Sequence, residues 1–148
     1  ELKYKNNPEL GVYLGQLCGD SLNGSKFIES IDFIVPIPLH SKRLKERGYN
    51  QAYELSRGIA ERTHVNLNDT VVIRSVNNPS QAKSDSREAR WANVENIFSL
   101  TDTKLFEGKH ILLIDDVLTT GSTIEACAKE LLKITDIRIS VYTLAVAT

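Results

Sequence analysis

Two adjacent carboxylates, Asp115 and Asp116, separate an apolar run from a cluster of small hydroxyl residues in the segment HILLIDDVLTTGST at 110–123. The stretch Ile111-Leu112-Leu113-Ile114 shows no polar alternation, as expected of a central strand with no solvent face. Ser122-x-x-Glu125 reads as a capping box, so a helix should begin there and run over 123–134. At the carboxyl end of a parallel strand, such a turn faces the crevice where α/β proteins bind ligands. The backbone N–H groups of 119–123 and the hydroxyls of Thr119, Thr120, Ser122 and Thr123 would converge around Gly121 at the positive end of a helix dipole. That arrangement cradles a phosphate. No Gly-x-x-x-x-Gly-Lys is present, so it is not a nucleoside-triphosphate loop. Carboxylates repel a phosphate bound a few residues away and must face another part of the same ligand. An ionised carboxylate only accepts hydrogen bonds and a vicinal diol donates them, so the acids suit sugar hydroxyls. Cradle and acids together fit a ribose 5-phosphate. The acidic pair alone would mean no more than solvated charges beside a capped helix.

Elements must hold this unit in place. Four apolar, β-branched runs recur at Ile31–Val35, Val71–Val76, Ile111–Ile114 and Ile137–Val146. Between or before them lie sets spaced by three and four: Leu10, Tyr13, Leu14, Leu17 and Cys18; then Ala52, Leu55, Ser56, Ile59 and Ala60; then Ile124, Cys127, Ala128, Leu131 and Leu132. Strands alternating with helices predict an α/β fold, a parallel sheet covered on both faces. With 148 residues, 41% apolar and 25% charged, the chain is expected to form one domain over 1–148, without repeats or low-complexity tracts. The polar segment 77–86, NNPSQAKSDS, interrupts the alternation, and Asp85-x-x-Glu88 resembles a capping box opening a short helix through Asn93. Polar loops of this length inside a compact domain are often functional lids.

Several classes are excluded. The richest apolar runs are strand-sized, far short of the ~20 residues that span a bilayer. No cationic stretch followed by an apolar one opens the chain, so no secretory signal is read. The first residue is Glu1 and Met is absent, which points to a trimmed chain or fragment. Cys18 and Cys127 make no metal or disulfide framework and are expected to be buried, reduced and cytoplasmic. A net charge of −1 argues against a dedicated nucleic-acid binder. His40, His64 and His110 lack the spacing of a metal site, and His64 and His110 are read as structural. Leu-Ile-Asp-Asp alone would also suit a phosphorelay receiver. There, however, the acidic pair should open the domain with a phosphoacceptor Asp several strands later, and only Asp136 follows.

Residues 111–123 resemble the phosphoribosyl pyrophosphate (PRPP) motif of type I phosphoribosyltransferases. The rest of the chain resembles the competence protein F (ComF) family, often described as amidophosphoribosyltransferase-like. Three stretches carry that likeness: 35–51, VPIPLHSKRLKERGYNQ, with its proline-rich turn and Arg-Gly-aromatic-Asn-Gln signature; Gln81 followed by Arg90-x-x-Asn93-x-x-x-x-Phe98; and Lys3-Tyr4-Lys5 before the first helix. The match covers nearly all 148 residues and is most specific at 35–51 and 111–123.

The resemblance implies a type I phosphoribosyltransferase-like parallel sheet flanked by helices, with a flexible lid loop. It implies that Asp115 and Asp116 hold the ribose hydroxyls as the catalytic pair, and that Thr119, Thr120, Gly121, Ser122 and Thr123 hold the 5-phosphate. It places pyrophosphate on the turn Ile37, Pro38, Leu39, His40, Ser41, Lys42 and Arg43. Lys42, Arg43, Lys45 and Arg47 put four cations within six residues, which suits a polyanionic leaving group. The loop 77–86 would fold over PRPP and bring Arg74, Gln81, Arg87 and Arg90 to it, excluding water from an oxocarbenium-like centre; Lys83 is read as surface. Mg²⁺ is implied with the substrate, held mostly by PRPP oxygens and waters. The expected activity is displacement of pyrophosphate from PRPP by an unidentified, nitrogen-bearing acceptor. The alternative is a non-turning-over PRPP- or nucleotide-binding accessory of DNA uptake, with competence proteins as partners. Oligomeric state is open, a homodimer included. Purine-salvage enzymes often carry an acid where this chain has Thr119, which counts against hypoxanthine or guanine as acceptor. The family's usual N-terminal cysteine-rich zinc module is absent from these 148 residues.

Overall fold

The unbroken apolar run at 111–114 occupies the place its composition demands, the middle of a parallel sheet. A computed structural model describes residues 7–74 and 97–147. In chain order they form α1 (Pro8–Leu22), α2 (Lys26–Glu29), β1 (Phe33–Pro36), α3 (Ser41–Arg47), α4 (Gln51–Thr63), β2 (Asn66–Leu67), β3 (Val72–Arg74), β4 (Phe98–Leu100), a 3-10 turn at Thr103–Phe106, β5 (His110–Leu118), α5 (Ser122–Leu131) and β6 (Arg138–Val146). β2, β1, β5 and β6 lie side by side in that order, every neighbouring pair parallel. The expected α/β architecture, a central parallel sheet flanked by helices, is what forms.

Successive strand residues point to opposite faces, and β5 divides the core accordingly. Ile111 and Leu113 pack with Val35, Phe106, Cys127 and Leu131 on the α5 face. Leu112 and Ile114 pack with Ile34, Leu55 and Ile59 on the α4 face. Burial is complete through Ile114 and partial from Asp115 to Leu118, where the strand emerges from the core. At the opposite end His110 ties three elements: its backbone N–H donates to Asp32 Oδ2 (2.8 Å), and its ring nitrogens lie 2.8 Å from Ser140 Oγ and 3.3 Å from Ser30 Oγ. The structural reading of that histidine holds.

Four expectations need correction. The run at 71–76 does not join the central sheet; Val72–Arg74 pairs antiparallel with Phe98–Leu100 as a separate ribbon. Within the ribbon strand Val72 is buried and Ile73 exposed, as a strand with one solvent face requires, and Val71 just before it is buried as well. β6, at the edge of the sheet, leaves Val141 and Val146 exposed. The helix expected over 123–134 stops at Leu131, and Leu132 is exposed. Cys127 is buried but Cys18 only partly so.

The fourth correction concerns α1. Its expected apolar stripe splits: Leu10, Tyr13 and Leu17 face solvent, Tyr13 55% and Leu17 49% exposed, Leu14 and Cys18 pack half-buried against the core, and the residues it buries fully are Gly11, Gly15 and Gly19. The glycines let α1 lie directly on α4, whose Gly58 meets them: a Cβ on Gly58 would collide with Val12 O, and one on Gly15 with Leu55 O. Backbone-to-backbone approach wins here over side-chain burial. β2, two residues long and half polar, carries no periodic signal and was not foreseen. The lid segment 77–86 and the short helix expected after it lie outside the described residues.

Candidate functional site

β1 and β5 run in register from Phe33–Ile111 to Pro36–Ile114, and Ile37 N–H then donates to Ile114 O (2.9 Å). The two chain segments therefore leave the sheet side by side. Between them opens a crevice of about 540 Å³, the size range of small-molecule sites. Its walls come from the turn after β1, from α3 and the start of α4, from β3, and from the turn between β5 and α5.

The cradle residues divide. Thr119, Gly121 and Thr123 line the crevice, whereas Thr120 and Ser122 do not. Those two engage each other: Oγ to Oγ is 3.0 Å, and Ser122 N–H donates to Thr120 Oγ1 at 3.3 Å. The capping box does not form. Gly121 is the cap residue, at φ 81°, with no side-chain hydrogen bond, and Ser122 is already the first helical residue. A positive φ is one that residues with a Cβ rarely adopt, and the first-turn amides of α5 lack partners within the helix, that of Ser122 being bonded to Thr120. The first intrahelical bond is Glu125 N–H to Gly121 O (2.8 Å).

Asp115 and Asp116 both line the crevice. Asp116 N–H donates to Asp115 Oδ1 (2.9 Å). Burial pushes the Asp115 carboxyl up to about 7, helped by a side-chain hydrogen bond with Asp116 and by its charge, and opposed in part by Arg74. Arg74 lines the same crevice from β3, its guanidinium 5.1 Å from the Phe98 ring centroid. Its Nε is buried with no hydrogen-bond partner among the described residues, and burial lowers its pKa. An orphaned buried donor of this kind awaits an acceptor.

On the other wall, Ile37, Pro38, Leu39 and Arg43 face the crevice, whereas His40, Ser41 and Lys42 do not. His40 caps α3, its Nδ1 accepting from Lys42 N–H at 3.1 Å. Three polar wall residues, Arg47, Asn50 and Gln51, all belong to the Arg-Gly-Tyr-Asn-Gln signature; Arg47 was read only as one of a cluster of cations, and Asn50 and Gln51 were missed as site residues. Gln51 Oε1 accepts from the Arg47 guanidinium (2.7 Å) and aims it; Asn50 Nδ2 donates to Ile37 O (3.1 Å) and braces the turn, while its Oδ1 caps α4 through Ala52 N–H (3.0 Å). Polar residues directly before a helix signal caps, and that signal concealed their second role. Gln81, Arg87 and Arg90 lie outside the described residues. Cys127, behind the cradle, has its thiol pushed up to about 12 by burial and is an inert core group.

Residues 22–147 match the phosphoribosyl transferase domain family. The chain belongs to that family. Its homologues include competence protein F of Haemophilus influenzae, 37% identical over 76% of this chain and 49% of the relative, and competence protein ComFC of Bacillus subtilis, 40% identical over 68% of this chain and 38% of the relative. The DNA utilization protein YhgH of Escherichia coli is 33% identical over 69% of this chain and 44% of the relative. The chain thus spans half or less of the length of these proteins. Among solved structures, glutamine PRPP amidotransferase of B. subtilis superposes with a TM-score of 0.58 at 16% identity, over 93% of this chain and 27% of that one. A hypoxanthine phosphoribosyltransferase of Staphylococcus aureus gives 0.54 at 14% identity, over 95% and 75%. At such identities the superpositions speak for the fold. Both carry the type I phosphoribosyltransferase arrangement, a parallel sheet flanked by helices.

Proposed function

We propose that this phosphoribosyltransferase-domain protein of the competence and DNA-utilization family binds PRPP with Mg²⁺ in the β1–β5 crevice and transfers its phosphoribosyl group to an acceptor. The observation that carries the reading is the segregation of charge within one cavity. Thr119, Gly121 and Thr123 line it at the α5 N-terminus, Asp115 and Asp116 lie beside them, and Arg43 and Arg47 occupy the facing wall. PRPP presents a 5-phosphate, a vicinal diol and a diphosphate, and each of the three groups has a chemically matched partner.

In this reading the first-turn amides of α5 and the Thr119 and Thr123 hydroxyls hold the 5-phosphate. Asp115 and Asp116 accept from the ribose hydroxyls, and the turn from Ile37 to Arg43, braced by Asn50, holds the diphosphate. Arg74 Nε reaches the same anion from β3. Mg²⁺ suits the site, since two hard carboxylate oxygens near a diphosphate match its habit of keeping waters and substrate oxygens as ligands; when bound it neutralises the leaving group. Transfer requires the acceptor's lone pair to form a bond at the anomeric carbon while the carbon–oxygen bond to pyrophosphate breaks. The electron pair leaves with pyrophosphate and the acceptor loses a proton. The protein is proposed to act in the cytoplasm.

The names of the relatives favour a second reading, PRPP binding without turnover in the service of DNA uptake. Pyrophosphate release separates the two. With PRPP, Mg²⁺ and a panel of nitrogen nucleophiles, transfer predicts acceptor-dependent pyrophosphate and a ribosylated product by mass. Saturable PRPP binding with no release above the uncatalysed rate contradicts transfer and leaves the accessory role.

A further inference from the structure

On the far side of the turn after β1 lies a second cleft of about 350 Å³. It shares Pro38, Leu39 and Asn50 with the first crevice, so one short turn is the party wall of both. The electrostatics of the two sides are opposite. Arg43, Arg47 and Arg74 line the first crevice, whereas among the described residues no lysine or arginine lines the second. Its charged groups are the carboxylates Glu54 and Asp69, and its aromatic groups are Tyr49 and Tyr53. Glu54 is only 8% exposed, and Arg57 reaches its Oε2 (3.1 Å) from the solvent side without entering the lining.

The fold holds these groups in place before any ligand arrives. Gly48 caps α3 at φ 83°, a left-handed turn that sends the chain directly into α4 and brings Tyr49 and Tyr53 to one side. Opposite them, Asn68 fixes the loop bearing Asp69: its N–H donates to Ile34 O (2.9 Å) and its Oδ1 accepts from Thr70 N–H (3.0 Å) and Val71 N–H (2.8 Å). Tyrosine rings and carboxylates lining one cleft beside Pro36, Pro38 and Leu39 suit a delocalised cation, which carboxylate charge and ring quadrupoles both attract. A carboxylate also accepts two parallel N–H bonds from a planar N–C–N group.

We propose that this cleft is a second ligand site, selective for a flat, delocalised monocation of the amidinium, guanidinium or amino-heterocycle class. It stands independently of PRPP binding, because it uses a different cavity and the opposite charge. Benzamidine is a suitable probe and neutral benzamide its near-isosteric control. In a ¹H–¹⁵N NMR titration of the uniformly labelled protein, benzamidine should saturate with a dissociation constant in the millimolar range. Its shifts should centre on Gly48, Tyr53, Glu54 and Asp69, and benzamide should produce none. Asp69→Asn, a change at an exposed loop position, should weaken benzamidine at least about threefold, as removal of a solvent-screened charge would; Tyr53→Leu should weaken it further. Equal binding of benzamide, shifts centred on Thr119 and Thr123, or no saturation would overturn the proposal. PRPP with Mg²⁺, titrated separately, reads the first crevice through Gly121 and Thr123, so the two readings fail independently.

Discussion

Asp115 ionises near neutrality because the fold removes water from it and sets a second carboxylate beside it. Its folded pKa, about 7, lies above the ordinary 3.8. Between those values the folded protein holds a proton that the unfolded chain has released, so stability falls as pH rises from about 4 to 7. Asp115→Asn cannot ionise and should lose that slope: urea unfolding at pH 5 and pH 8 should show the variant gaining on the parent at the higher pH. Equal pH dependence of the two would mean that Asp115 is not desolvated in solution. The same acids should read the ribose. Asp115→Asn with Asp116→Asn should weaken PRPP by roughly 1.5–3 kcal/mol for each charge-assisted bond lost, and should leave inorganic phosphate unchanged or slightly tighter. Titration calorimetry with both ligands checks this, and equal weakening would make the pair structural. At this scale the sequence was legible: two acids after four apolar residues meant a buried strand ending in charge. Arg74 was legible as a cation able to reach the diphosphate, but its seat on a ribbon strand against Phe98 was not, because that ribbon pairs residues 24 positions apart.

Elements were legible where one rule governed them and not where two competed. β5 has apolar residues on both faces and is central; α4 buries Ala52, Leu55 and Ile59 as its spacing requires. α1 contains both a leucine stripe and a glycine stripe, and periodicity alone selects the leucines. The glycines win because close helix contact needs the absence of Cβ on both partners, Gly58 included, and no pattern within α1 reports what α4 brings. Gly58→Ala and Gly15→Ala should therefore each destabilise the protein by about 2–3 kcal/mol or more, since an atom would be driven into a neighbouring carbonyl. Leu17→Ser, on the exposed stripe, should stay within about 0.5 kcal/mol. Chemical denaturation ranks the three, and a Leu17 cost exceeding that of Gly58 would reverse the assigned faces. The cap of α5 follows the same logic. Ser122-x-x-Glu125 satisfies the capping pattern, but Gly121 at positive φ takes the cap position one residue earlier, and a glycine brings no side chain to bond the first-turn amides.

Across the described residues, the sheet order β2-β1-β5-β6 places the ends of β1 and β5 together, and the crevice follows from that adjacency. Neither 35–51 nor 110–123 forms a site alone; one brings the cations and the braced turn, the other the acids and the helix start. Their separation in sequence, from residue 51 to residue 110, hides the cavity, whereas the motifs at each end suggest its chemistry. The central claim is that this cavity binds PRPP with Mg²⁺ as one ligand through three matched subsites. Isothermal titration calorimetry of PRPP with Mg²⁺ into the parent protein, Thr123→Val and Arg43→Gln tests it most directly. The account predicts one saturable site with micromolar affinity in the parent, weakened in both variants. Inorganic phosphate should lose affinity in Thr123→Val more than in Arg43→Gln, and pyrophosphate the reverse. No saturable PRPP binding by the parent, or PRPP binding untouched by both substitutions, would contradict it.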